Sequence, residues 1–374
     1  MKRARTPMGV GPLALAGVLM AGCASGTTGP SQVQIAPQAG LQGFAARLDS
    51  IRVRLLIPGM AAAIVKDGRV VWSAGLGQAD AVSGREATAQ TPFHLASLTK
   101  PFAAVILMQL VEEGRVGLDD PVSRYGVTLT APDTVRVRHL LTHTSEGVPG
   151  TQYRYSGNRF GLLDQVIQSA AGRSFADLLC ERILRPLALP NTAPNPAQRA
   201  AFACTGLDIE GFRSRMAAGY ELRGSAVVPA THPDYFGAAA GLVASAADVA
   251  AFSIAIDQGR FLRAETWREV FTPARNNAGA ALPYGLGWFI QVHQGVTLQW
   301  HYGYWTTNAS LIVRAPERGL AFVVLANTPN LSAAFPGLGA DENVLRSDVA
   351  KLFVDAYVVG DEPLPGSTPR QGPT

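Results

Sequence analysis

Runs of β-branched and aromatic residues stand near both ends of this chain, and helical patterns fill the space between them. Residues 60–66 (MAAAIVK) and 69–76 (RVVWSAGL) flank Asp67-Gly68, and an Asp-Gly pair between two apolar runs predicts a hairpin. The strand pattern returns at 286–293, 296–302, 307–314 and 320–327. Between the two sets, residues 97–113 are apolar on nearly every side and stop at Gly114, which predicts a buried helix. Residues 136–142, 159–172, 174–186 and 245–258 also read as helices, and an amphipathic helix over 341–358 follows the last strand. Strands separated this far must pair across the insertion. The layout therefore predicts an α+β fold, an antiparallel sheet flanked by helices with an inserted all-helical lobe. The domain covers 41–360, with a sheet lobe of about 41–85 and 284–360, a helical lobe of about 86–283, and a disordered tail over 361–374. A cleft between the lobes is the expected place for a site.

The first residues read as an address. Lys2, Arg3 and Arg5 precede an apolar stretch that ends in Leu19-Met20-Ala21-Gly22-Cys23, the layout of a secretory signal over residues 1–22. The stretch is short and broken by Gly and Pro, unlike a membrane span. It resembles the lipobox of bacterial lipoproteins. The resemblance implies diacylation of Cys23, cleavage before it, and, because Ala24 rather than Asp follows, an outer-membrane lipoprotein facing the periplasm. Residues 23–40, rich in Gly, Ser, Thr and Pro, read as a flexible tether. Cys180 and Cys204 remain, either as a disulfide or as two buried thiols.

The chain is 47% hydrophobic and 16% charged, which suits a packed core and excludes a disordered protein. Three of the charges in its formal net charge of +4 are the leader's Lys2, Arg3 and Arg5, so +1 remains after cleavage. Nucleic acid is therefore not an expected partner. The sequence holds no G-x-S-x-G, no H-E-x-x-H, no Walker loop and no dinucleotide fingerprint, and no cofactor is expected. His139 and His143 are four apart, but Leu140 stands where a zinc site's general-base Glu would, and both are expected to be structural rather than metal ligands.

What the sequence does hold is Ser97-Leu98-Thr99-Lys100, an S-x-x-K at the start of the most apolar helix. A helix start favours a developing anion, and residues three apart share a face. The chain has four lysines, at 2, 66, 100 and 351, and otherwise uses Arg. Arg cannot give up its proton, whereas a desolvated Lys can act as a base. Ser97 and Lys100 are thus a candidate nucleophile and base.

With its surroundings, this motif is similar to the serine β-lactamase and penicillin-recognising superfamily, in its branch of class C β-lactamases, D-alanyl-D-alanine carboxypeptidases and related esterases. The likeness runs from about Ile57 to about Asn327 through IPGMAAAIVKDGRVVWSAGLG, FHLASLTKPF, LDDPVSRYGV, VRHLLTHTSEG, YRYSGNRFGLLDQVI, AAGLVASAADVAAF, YGLGW and HYGYWTTNASLIV. It implies the β-lactamase/DD-peptidase-like sandwich, with Ser97 acylated and Lys100 as its base. Tyr155 stands where the family has the Tyr of Y-x-N, a proton shuttle if cationic neighbours lower its pKa, with Tyr153 as a weaker alternative. Gly157 replaces the family's Asn, and Asn158 follows one place late. His301-Tyr302-Gly303 occupies the place of K-T-G or H-x-G. Gly303 would let substrate approach, His301 would hold a proton near Tyr155 or bind a substrate anion, and Tyr302 would fill the space that receives a substrate carboxylate. The backbone N–H groups of Ser97 and Tyr304 would form the oxyanion hole. The expected function is an exported serine hydrolase acting on a small-molecule ester, amide or peptidoglycan-like substrate. The alternative, suggested by Gly157 and Tyr302, is a non-hydrolytic binding or regulatory protein on the same fold.

Overall fold

The computed structural model describes residues 39–333, 342–360, 362 and 364–365. The leader expected over residues 1–22 and the lipidation expected at Cys23 lie outside the described residues. In chain order the strands are β1 (Gly59–Lys66), β2 (Arg69–Asp80), β3 (Arg85–Glu86), β4 (Phe93–His94), β5 (Ala193–Pro194), β6 (Tyr220–Arg223), β7 (Ala226–Pro229), β8 (Leu242–Ala244), β9 (Phe289–His293), β10 (Val296–Trp305), β11 (Asn308–Ala315) and β12 (Leu320–Ala326). A seven-stranded sheet runs β3-β2-β1-β12-β11-β10-β9, antiparallel throughout. Strands from the two ends of the chain meet at β1 and β12, where Met60 opposes Ala326 and Lys66 opposes Leu320. The split sheet expected from the sequence is therefore present. At the β1–β2 turn Asp67 and Gly68 both take positive φ, 48° and 72°, as a two-residue hairpin of this twist requires.

The central strands are buried on both faces, and their alternation sorts the core into two layers. Ala61, Ala63, Val65, Ile312, Val323 and Leu325 face one layer, with the apolar residues of the helix Ala246–Asp257. Met60, Ala62, Ile64, Leu311, Phe322 and Val324 face the other. That second layer is closed by helix α1 (Ala39–Arg54), through Leu41, Phe44 and Leu48, and by the C-terminal helix Asp348–Phe353, through Val349 and Phe353. Helix α1 begins two residues inside the segment expected to be a tether. At the other end, within the segment expected to be a tail, Glu362 accepts from Arg47 at 2.8 Å and Leu364 is buried. The helix expected over 341–358 is, within the described residues, a 3-10 turn (Val344–Arg346), an α-helix (Asp348–Phe353) and a π turn (Val354–Val358).

The inserted lobe carries helices α2 (Lys100–Glu112), α3 (Val137–Leu141), α4 (Gly157–Gly161) and α5 (Leu163–Ala171). It is not all helical, because it also contains the small sheet β4-β8-β5 and the hairpin β6-β7. Strands of two or three residues are too short for a period-two pattern to show. Helix α2 buries nearly every residue from Lys100 to Leu110, and Gly114, just past its C-cap Glu113, takes φ 70°. The expected single helix over 159–172 breaks at Leu162, and that over 174–186 contains a π turn at Cys180–Leu184. Cys180 and Cys204, 24 positions apart in the chain, form a disulfide, Cα–Cα 6.0 Å. Among the described residues no helix is long and apolar enough to cross a membrane.

Candidate active site

Ser97 lies in a 3-10 turn, Ala96–Thr99, that precedes helix α2, rather than in the helix itself. The turn is pinned from two sides. Leu95 N–H donates to the Leu242 carbonyl of β8 at 2.8 Å, and Leu242 N–H donates to Thr99 Oγ1 at 3.0 Å. From β11, Ser310 Oγ donates to the Leu95 carbonyl at 2.6 Å and Asn308 Nδ2 to the His94 carbonyl at 2.8 Å. Ala96 sits at φ 47°, a conformation that an alanine holds only when its surroundings impose it. Ser97 is half-buried.

Lys100 is fully buried, and its Nζ donates to Ser97 Oγ at 2.8 Å and to the Ala239 carbonyl at 2.8 Å. Burial without a carboxylate partner lowers its pKa from 10.5 to about 7. The Ala239 carbonyl comes from the loop before β8, where Asp164 at the start of α5 accepts from Ala238 N–H at 2.9 Å. Burial raises the Asp164 carboxyl to about 6. Both the loop and its carboxylate went unassigned in the sequence, since a backbone acceptor leaves no side-chain signature.

The Tyr155 hydroxyl is buried beside Ser97 and stops short of a hydrogen bond with any protein group. Tyr155, not Tyr153, interacts with Ser97. Its ring packs on His143 at 4.3 Å between centroids and on Tyr302 at 5.7 Å, and the Lys100 ammonium lies 5.0 Å from its centre. The condition set for Tyr155 as a proton shuttle, a pKa lowered by cationic neighbours, is not met. Burial, with Tyr302 adding, holds it well above its ordinary value, and contact with Ser97 only partly opposes this.

The strand β10 motif departs from expectation at three residues. His301 is fully buried and has both ring nitrogens occupied. Nδ1 donates to the Tyr302 carbonyl at 2.7 Å, so Nε2 accepts from the Tyr284 hydroxyl at 2.8 Å. Burial, and after it the Lys100 charge, push its pKa well below the usual imidazole range. A neutral, doubly bonded His301 holds no substrate anion. Tyr302 packs on Tyr155, Phe289 and His301 instead of filling a carboxylate space in the cleft. At Gly303 a β-carbon would lie 2.0 Å from the Leu95 carbonyl oxygen and 2.3 Å from Ser310 Oγ. The close approach that demands glycine is thus the protein's own nucleophile turn, not substrate.

The sequence profile of the family described as Beta-lactamase matches residues 44–340. The chain belongs to the beta-lactamase family. It is 27% identical over 279 residues to a D-aminopeptidase of Brucella canis, covering 66% of this chain and 52% of that protein. A D-aminopeptidase of Brucella anthropi is 29% identical over 281 residues, covering 66% and 51%. The chain spans about half the length of these curated relatives. The octameric penicillin-binding protein homologue from Pyrococcus abyssi superimposes with a TM-score of 0.70 at 23% identity, over 82% of this chain and 78% of that one, and shares its fold.

In this beta-lactamase-family chain a cavity of about 450 Å³ opens over Ser97 and Lys100. Gly157 and Asn158 of α4 line it, and a β-carbon at Gly157 would meet nothing within 4 Å. The rest of its wall is small and aromatic residues, Ala96, Gly161, Ala239 and Ala240 with Tyr235, the half-exposed Tyr304 and Trp305. Tyr235 and Trp305, each next to another aromatic (Phe236 and Tyr304), were not assigned a role from sequence, because an aromatic side chain is more often a packing residue. Among the described residues that line the cavity, Lys100 is the sole Lys, Arg, His, Asp or Glu.

Proposed function

We propose that this protein is a serine hydrolase that forms an acyl-enzyme on Ser97. The observation that carries the reading is the Lys100 Nζ held 2.8 Å from Ser97 Oγ at a pKa of about 7. Near neutral pH an appreciable fraction of Lys100 is uncharged and able to take the Ser97 proton as Oγ attacks a carbonyl. Tyr155, kept protonated by burial, is suited to donate to the leaving oxygen and be reprotonated by Lys100. Backbone N–H groups of Ser97 and Tyr304 would receive the oxyanion.

The preferred substrate is an uncharged acyl ester. The described cavity wall offers no fixed cation for the carboxylate of a penicillin or D-Ala-D-Ala peptide. Nor does it offer a carboxylate for the free ammonium of an aminopeptidase substrate. An ion placed there would lose hydration with little return, whereas an ester would pack on Tyr235, Tyr304 and Trp305. A fluorophosphonate probe should label wild type on the Ser97 peptide and leave Ser97→Ala unlabelled. p-Nitrophenyl butyrate should be turned over with higher kcat/KM than nitrocefin or a D-alanine anilide. Absence of labelling would favour the non-hydrolytic binding reading, and efficient nitrocefin turnover would overturn the ester preference.

Export as a lipoprotein, rooted in the run ending at Cys23, is part of the same proposal. Cys23→Ala should release the protein from membranes or leave it uncleaved. Unchanged fractionation and mass would remove the anchor.

A further inference from the structure

We infer that His143 is a positioning residue that sets Tyr155 against Ser97, acting through Nδ1 and the flat of its ring. His143 follows helix α3 and lies at φ 55°, the left-handed conformation usual for glycine or asparagine just past a helix end. A histidine there is strained, and strain of this kind persists where surroundings impose it. The surroundings are the segment that carries Tyr155. Arg154 N–H donates to the His143 carbonyl at 2.7 Å, and Ser156 N–H donates to His143 Nδ1 at 3.1 Å. The residues on either side of Tyr155 are therefore both tied to His143. Its ring then lies against Tyr155 at 4.3 Å, with Tyr284 at 4.9 Å and Phe160 at 5.4 Å packed around it.

The tautomer follows from these bonds. Nδ1 accepts, so Nε2 carries the proton, and Nε2 is buried with no partner. A charged imidazole would lose the Ser156 bond, and burial beside Lys100 and His301 keeps the ring neutral. The conflict with local propensity makes sense if the acceptor and the ring are both needed. Glycine would fit the backbone and supply neither.

The inference rests on the acylation of Ser97 proposed above, and the test separates the two. Asparagine suits a left-handed φ and places Oδ1 near the position of Nδ1, whereas glutamine places its amide near Nε2. His143→Ala should slow acylation by p-nitrophenyl acetate on the order of a hundredfold, the scale of an ångström of misplacement. His143→Asn should restore the rate to within about tenfold of wild type, short of full because the ring is lost. His143→Gln should not restore it. The amide exchange of Ser156 should rank the same way, slow in wild type and His143→Asn, fast in His143→Ala and His143→Gln. Restoration by glutamine but not asparagine would place the action at Nε2 and overturn the inference. So would a His143→Ala rate within a few-fold of wild type, or an asparagine variant that leaves Ser156 unprotected. If alanine fails to fold, the asparagine and glutamine variants decide between themselves. If wild type is not labelled at Ser97, the functional reading fails, while Ser156 exchange still decides whether His143 holds the segment.

Discussion

Lys100 is fully buried, and it is the side chain the proposed chemistry needs most. Its ammonium has a hydroxyl and a carbonyl as partners, with no carboxylate to neutralise it. The folded pKa of about 7 lies below the ordinary 10.5, so between those values the unfolded chain binds the extra proton. Stability contributed by this residue is therefore lowest below pH 7 and climbs with pH across that window. Lys100→Met, similar in length and uncharged, should abolish acylation. Its Tm relative to wild type should be highest at pH 6 and fall toward pH 10, followed by calorimetry. A gap that stays constant over that range would contradict the burial of a titrating amine. The same pKa sets the rate: acylation by a neutral ester should rise through pH 7 and level above it, as base fraction grows. Lys100→Arg keeps the charge but offers no base at any accessible pH. It should slow acylation by about two to four orders of magnitude.

Strand β10 and the turn Ala96–Thr99 are fitted to one another at Gly303, so an added methyl there acts on both. Gly303→Ala drives a β-carbon into the Leu95 carbonyl, a backbone atom that moves only with the nucleophile turn. A cost of about 1–3 kcal/mol is expected for such overpacking, with a loss of Ser97 labelling in whatever protein remains folded. Gly157→Asn, which restores the residue usual in the family, meets open space and should leave Tm within about 1 °C, in line with an effect inside ±0.5 kcal/mol. Thermal melts of the two variants side by side would check both. These elements also mark what the sequence could convey. The hairpin at Asp67-Gly68 and strands β9 to β12 were legible because turn residues and strand period are local signals. So was the pairing of Ser97 with Lys100, which needs only three residues of chain. The directions of the β10 side chains were not. Alternation says that His301 and Gly303 share a face, but whether that face meets the cleft or a buried tyrosine depends on Tyr284, far outside the motif. Helix α1, interrupted by Gly40 and Gly43, forms because Leu41, Phe44 and Leu48 have a sheet to cover, and that too is tertiary information.

At the scale of the molecule, the sheet is closed by β1 against β12, while the inserted lobe hangs between β3 and β9 with its own internal tie. That tie is the disulfide between Cys180 and Cys204, both in the insertion. Cross-linking 24 residues apart removes unfolded-state entropy worth about 3.5 kcal/mol on the chain-entropy account. Neither cysteine lines the cavity over Ser97, and the nucleophile turn is held by β8 and β11 rather than by the helices that carry the sulfurs. Stability and chemistry should therefore separate. The Cys180→Ala, Cys204→Ala double variant should melt roughly 5 °C lower, as a loss of this size implies for a chain of this length. Its acylation rate well below the melt should stay within a few-fold of wild type. Dithiothreitol should lower the Tm of wild type toward that of the double variant and leave the double variant unmoved. An unchanged Tm in the double variant would show that the bond carries no stability. A rate loss beyond tenfold would show instead that the insertion must be tied for Tyr155 and the Ala239 loop to reach Ser97 and Lys100. A bond of this kind fits an oxidising compartment, which the export proposed above, with cleavage before Cys23, would provide.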